Sequence, residues 1–108
     1  VRGEIIRPFE AGSFEGIDIS APAGAPVSAA EDGTVVIVTE DTEGVTIVAI
    51  DHGEDLLSVY ANIGAIAVSQ GDSVARGQDF AEVAGGDEAF LHFEVRRGME
   101  PLDPAGFF

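Results

Sequence analysis

The sequence predicts an all-β fold, a small single-domain β-sheet sandwich or barrel. Three observations carry this. Fourteen glycines and five prolines cut the chain into short apolar runs. The runs are rich in Val, Ile and Phe, which suit a pleated, half-buried surface. No window keeps an apolar period of 3.6 residues over three turns, so no helix is expected.

Taken in order, "GIDIS" (16–20) alternates apolar and polar residues after a glycine, and "PVSAA" (26–30) follows a proline. "GTVVIVTE" (33–40) and "GVTIVAID" (44–51) are β-branched runs, each opened by glycine. "DLLSVYAN" (55–62) follows "DHG", and "IAVSQ" (66–70) runs into a glycine. "DFAEVA" (79–84) and "FLHFEV" (90–95) alternate again. Short strands with turn signals between them argue a barrel or sandwich. "APAGAPVSAAEDGTV" and "VSQGDSVARGQDFAEV" place Gly or Pro before a strand that returns promptly, which builds tight antiparallel turns. The tail "GMEPLDPAGFF" is expected to fold Phe107 and Phe108 back onto the body, because an exposed pair would leave an apolar patch.

The 108 residues fit one domain, 1–108, and 45 % hydrophobic content argues against disorder. The chain opens "VRGEIIRPF" without methionine, so it is expected to be part of a longer protein. No apolar run approaches the roughly 18 residues a bilayer span needs, so this domain is not expected to insert into a membrane. There is no cysteine, hence no disulfide, thiolate metal site or cysteine nucleophile. All five basic residues are arginines: Arg2, Arg7, Arg76, Arg96 and Arg97. Without lysine the chain carries no lipoyl, biotinyl or Schiff-base chemistry. Net charge is −15, which repels nucleic acid and anionic lipid and steers basic protein partners inward. The plainer reading is that acidity keeps the domain soluble or reflects a salty habitat.

Few residues offer site chemistry. The histidines are His52 and His92; Asp18 stands in "FEGIDIS" and Asn62 in "SVYANIG". A catalytic zinc takes three protein ligands and an open position. Asp18 and the two histidines would serve only if they converge, which spacing alone does not establish. His92 alternates with Leu91 and Phe93, so it faces the other side of its strand from them. His52, beside Gly53, is expected to be a surface or turn histidine.

In order, "GIDISAPAGAPVSAAEDGTVV", "VTIVAIDHG", "LLSVYANI", "VSQGDSVARGQ" and "FLHFEVRRGMEPLDP" resemble a LytM domain of the lysostaphin-like zinc endopeptidases, which cut peptidoglycan peptides. The resemblance covers roughly Gly3 to Pro104 and implies the LytM barrel-sandwich fold. Active members of that family read His-x-Gly-x-Asp, Tyr-Ala-His and His-Leu-His. This chain reads Phe14-Glu15-Gly16-Ile17-Asp18, Tyr60-Ala61-Asn62 and Phe90-Leu91-His92. By resemblance the zinc positions are therefore Phe14, Asp18 and His92, and the catalytic positions Asn62 and Phe90. Asp18 and His92 keep the family residue; Phe14, Asn62 and Phe90 do not. A phenyl ring has no lone pair for a metal. Loss of acid–base help typically costs about 10²–10⁴-fold in rate, and loss of the metal removes the activated water as well.

The expectation is a non-enzyme with no metal or other cofactor. His92 is expected to hydrogen-bond Asp18 or nearby backbone, and Phe14, Tyr60, Asn62, Phe90 and His92 to line a partner groove. Phe9, Phe14 and Phe90 are expected to gather there, as an anchor point or a plug. "AGGDEA" (84–89) is shorter than the family's usual loop and would leave one side of the groove open. The resemblance to decayed members of the EnvC, NlpD and DipM group implies a regulator. It would bind and activate peptidoglycan hydrolases, chiefly N-acetylmuramoyl-L-alanine amidases, in the Gram-negative periplasm during division. The alternatives are a scaffold that binds peptidoglycan or recruits hydrolases, and a surviving zinc endopeptidase with altered ligands.

Overall fold

The computed structural model describes residues 4–10, 16–40, 42, 44–85, 89–98 and 100–104. Ten strands lie among them: β1 (Ile5–Arg7), β2 (Ile17–Ser20), β3 (Pro26–Ser28), β4 (Gly33–Glu40), β5 (Thr46–Asp51), β6 (Leu56–Gly64), β7 (Ser73–Val74), β8 (Asp79–Val83), β9 (Phe90–Arg97) and β10 (Glu100–Leu102). Every pairing is antiparallel. The main path runs β1-β2-β9-β6-β5-β4-β7, with β10 on β9 and β8 joining β3 to β6. The described residues thus give the all-β architecture that the apolar runs predict.

Strand β9 sets the two sides of the sheet. Leu91, Phe93 and Val95 are buried, while Phe90, His92, Glu94 and Arg96 between them are half-buried. This is the period-2 alternation of a strand with one dry face. The dry face joins Ile17 and Ile19 of β2, Tyr60 of β6, and Val27, Phe80 and Val83 of the β3–β8 layer in one core. Tyr60 sits at its centre, 1 % exposed. Its ring meets Phe80 edge-on at 5.0 Å and Phe93 at 5.3 Å. Its hydroxyl accepts the Ala30 backbone N–H at 3.0 Å and lies 2.8 Å from Ser58 Oγ.

The two glycine- and proline-punctuated phrases turn as expected, but they also pair with each other. β3 lies in the first and β8 in the second, with Val27 opposite Ala81. "IAVSQ" (66–70) is not a strand, contrary to the sequence reading. Asp72 N–H returns to the Ser69 carbonyl and Ser69 N–H to the Asp72 carboxylate, so the segment closes a turn. Gly71, at φ 98°, supplies the reversal, and the strand is delayed to Ser73–Val74. Pairing also makes strands of β1 and β10, which are too short for periodicity to reveal. Phe107 and Phe108 lie outside the described residues.

Removing the Tyr60 hydroxyl leaves its ring in place but strips the Ala30 N–H and Ser58 of a partner. Tyr60→Phe is expected to lose about 1–3 kcal/mol of stability in urea unfolding, with little change in the denaturant slope.

Candidate functional site

β2, β9 and β6 bring the site together. Asp18 lies opposite His92 on one side, and Ala61 lies opposite His92 on the other. Partners in register share a face, so Asp18, His92 and Ala61 point away from the core, as do Glu94 and Arg96 further along β9.

His92 is held between two carboxylates. Nδ1 lies 2.7 Å from Asp18 Oδ1, and Nε2 lies 2.8 Å from Glu94 Oε2. The other Glu94 oxygen, Oε1, accepts from Arg96 Nη2 at 2.7 Å and Nε at 3.1 Å. The result is an alternating row: Asp18, His92, Glu94, Arg96. Its side chains are 16 %, 21 %, 18 % and 30 % exposed respectively. Ionised carboxylates only accept. Both contacts are hydrogen bonds only when both ring nitrogens carry hydrogen, so the row favours the imidazolium form of His92. Burial works to lower the His92 pKa, but hydrogen bonds to Glu94 and Asp18, with the charge of both, raise it above 6.5. The hydrogen bond from His92 lowers the Glu94 pKa below 4.5; burial opposes this and Arg96 reinforces it.

Gly16 makes the row possible. A Cβ there would fall 2.7 Å from Glu94 Cγ, 2.7 Å from the Phe93 carbonyl oxygen and 3.0 Å from His92 Cε1.

The remaining sequence-predicted positions divide. Asn62 and Phe90 are neighbours: Asn62 Nδ2 donates to the Phe90 carbonyl at 2.8 Å. Thr46 pairs with Ile63 and Ile47 with Ala61, so Asn62 is the extra residue of a bulge. Its φ is 63°, a left-handed conformation that Asn tolerates well. Phe90 is half-buried and lies two residues from His92 on the same side of β9. Tyr60 must be corrected: it belongs to the core, on the opposite side of the sheet from His92, and lines no groove there. Phe14, the Phe9–Phe14–Phe90 cluster that depends on it, and residues 86–88 of the shortened loop lie outside the described residues. His52 is half-buried and stands at the turn after β5, where its backbone N–H donates to the Leu56 carbonyl at 2.8 Å. Nδ1 meets the Asp32 carbonyl at 2.8 Å and Nε2 meets Ser58 Oγ at 2.7 Å.

The sequence reading missed Glu94 and Arg96. The signal was present: they follow His92 at period 2, so one strand face carries all three.

The residues do not fit a zinc ion. His92 has both nitrogens committed, one to each carboxylate. Asp18 and Glu94 lie at opposite edges of the ring, so no single ion meets both of them and a ring nitrogen. The remaining family position is a phenylalanine, Phe14, without a lone pair. Among the described residues no group of three or more His, Cys, Asp or Glu is placed to hold a metal.

Two outcomes follow. A raised histidine pKa contributes stability fully below 6.5 and loses it as pH climbs through the folded value. A lowered glutamate pKa contributes above 4.5 and loses it as pH falls through the folded value. Urea midpoints should therefore be highest between these limits and decline on the alkaline side, and His92→Asn should flatten the alkaline decline. Separately, Gly16→Ala should cost about 1–3 kcal/mol by overpacking and should move the His92 side-chain resonances more than those of His52.

Comparison with known proteins places this geometry in a family. The model of peptidase family M23 matches residues 12–104. The uncharacterized lipoprotein YgeR of Escherichia coli strain K12 is 38 % identical over 107 residues, covering 94 % of this chain and 43 % of that protein. The murein hydrolase activator NlpD of the same strain is 33 % identical over 107 residues, covering 94 % of this chain and 28 % of its own length. This chain therefore spans less than half the length of these curated relatives. A zinc-containing peptidase from Vibrio cholerae superposes with a TM-score of 0.81 at 28 % identity, covering 94 % of this chain and 35 % of that one. The fold is shared with a zinc peptidase, whereas the row around His92 is built from ion pairs between side chains. The match over residues 12–104 settles the family: this chain belongs to peptidase family M23.

Proposed function

We propose that this domain is a non-catalytic regulator that binds and activates periplasmic peptidoglycan hydrolases, with N-acetylmuramoyl-L-alanine amidases as its partners. The observation that carries the reading is the double engagement of His92 by Asp18 and Glu94. A hydrolytic metal site needs a ring nitrogen open to the metal, and here both are engaged by carboxylates. A binding surface needs only shape and charge, which the row retains. The relative named a murein hydrolase activator and the relative named a lipoprotein of a Gram-negative bacterium support the same reading, and with it the cell envelope.

The partner surface in this reading is the face around His92, with Leu57, Val59 and Ala61 of β6 opposite Arg96, Glu94 and His92. The mechanism is population shift. The domain binds the open form of the hydrolase better than the closed form, and activation cannot exceed that difference in affinity.

Purified protein should release no dye from labelled peptidoglycan by itself and should accelerate release by a cognate amidase. Ala61→Arg, on the half-buried face, should abolish most of the acceleration while leaving the circular dichroism spectrum and melting midpoint close to the parent. Binding to bare sacculi with no effect on any amidase would favour a scaffold. Dye release by the domain alone, lost on chelation, would favour a peptidase.

A further inference from the structure

On the core side of β6, away from His92, four hydrogen bonds join end to end. The Ala30 backbone N–H meets Tyr60 Oη at 3.0 Å, and Tyr60 Oη lies 2.8 Å from Ser58 Oγ. Ser58 Oγ lies 2.7 Å from His52 Nε2, and His52 Nδ1 lies 2.8 Å from the Asp32 carbonyl oxygen. The chain thus leaves the segment before β4, passes through β6 and the β5–β6 turn, and returns to that segment. Gly33 lets the backbone close on the ring, since a Cβ there would fall 2.9 Å from His52 Nδ1. A serine on a histidine nitrogen also describes a nucleophile and its base, but Ser58 is 1 % exposed and meets no substrate.

The two ends of the chain fix its direction. An amide N–H only donates and a backbone carbonyl only accepts. Tyr60 Oη therefore receives the Ala30 hydrogen, and His52 Nδ1 carries the hydrogen given to Asp32. Neutral His52 then satisfies every contact. Ala30 donates to Tyr60, Tyr60 to Ser58, Ser58 to the bare Nε2, and Nδ1 to Asp32. Burial raises the Tyr60 pKa above 10.0, so its hydroxyl keeps its hydrogen. A proton on Nε2 reverses the middle of the chain. Nε2 donates to Ser58, Ser58 donates to Tyr60, and the Tyr60 hydrogen has no acceptor left in the chain. A buried hydroxyl without a partner is unfavourable.

We propose that this chain is an acid-sensitive latch: neutral His52, with its hydrogen on Nδ1, ties β6 to residues 30–32, and a second ring proton opens it. Histidine is the side chain that ordinarily changes charge between about pH 5 and 8. The charged groups that share a cavity wall with His52 are Glu31, Asp32, Asp51 and Arg76. Glu31 Oε1 accepts the Asp32 N–H at 3.1 Å; Asp32 Oδ1 accepts the Arg76 N–H and Asp51 Oδ1 the Gly53 N–H, both at 2.8 Å. Neither ring nitrogen meets a carboxylate, in contrast to His92. The latch lies apart from the His92 row and does not rest on the regulator reading.

Side-chain nitrogen spectra of His52 at about pH 8 test the direction, and an acid titration tests the latch. The expected spectrum has hydrogen on Nδ1 and a bare Nε2. As the ring gains its second proton, the Tyr60 ring resonances should shift with the same midpoint. The Ala30 amide protection factor should fall at least about fivefold. In Ser58→Ala, which cuts the chain in the middle, His52 should still titrate while Tyr60 and Ala30 no longer follow it. If that variant does not fold, the shared midpoint in the parent protein remains the deciding measurement. Hydrogen on Nε2 at the alkaline end, a Tyr60 midpoint apart from that of His52, full Ala30 protection after the ring is charged, or a Tyr60 that still follows His52 in Ser58→Ala would each overturn the proposal.

Discussion

The site depends on one imidazole held by two carboxylates. Asp18 on Nδ1 and Glu94 on Nε2 favour the imidazolium form of His92, in a row of alternating charge that Arg96 closes. In that form the row sums to zero inside a chain of net charge −15. Half-buried charges cost desolvation unless each has a partner; here every member of the row has one. This arrangement also sets any metal in competition with two carboxylate hydrogen bonds for the ring nitrogens. The same interactions that stabilise the row therefore decide its chemistry.

The row is set by the register that builds the core. β9 places Leu91, Phe93 and Val95 on the dry side because they must pack against Ile17, Ile19 and Tyr60. His92, Glu94 and Arg96 are then fixed on the other side with no further choice. A slip of one residue would exchange core and row completely. Gly16 completes the arrangement by letting the neighbouring backbone approach the ring and the glutamate without collision. Asn62 shows a related economy. It occupies a bulge with φ 63° and ties its side chain to the Phe90 carbonyl, so a position the LytM resemblance assigns to catalysis here supports backbone geometry.

Most of the fold was legible in the sequence because turns and β-branched runs punctuate it plainly; Gly33–Glu40 and Asp79–Val83 emerge within a residue of their apolar runs. β1, β7 and β10 were not legible, since two or three residues carry no measurable period and pairing alone makes them strands. "IAVSQ" misled because its Val and Ile suit a strand while the Ser69–Asp72 hydrogen bonds close a turn. At the site, the Asp18–His92 contact was anticipated. Tyr60 was misplaced because motif proximity to Asn62 was weighed above alternation, and the bulge at Asn62 breaks that alternation. Glu94 and Arg96 were overlooked because the family pattern stops at His92, although strand periodicity continues past it.

The central claim is that two carboxylates, and no metal, hold the ring nitrogens of His92. Zinc titration at neutral pH, followed by the side-chain nitrogen resonances of His92, tests it directly. The expected result is that the His92 side-chain nitrogen resonances stay unshifted at one equivalent of zinc. A stoichiometric zinc complex that deprotonates a His92 nitrogen, and is lost in Asp18→Ala, would contradict it.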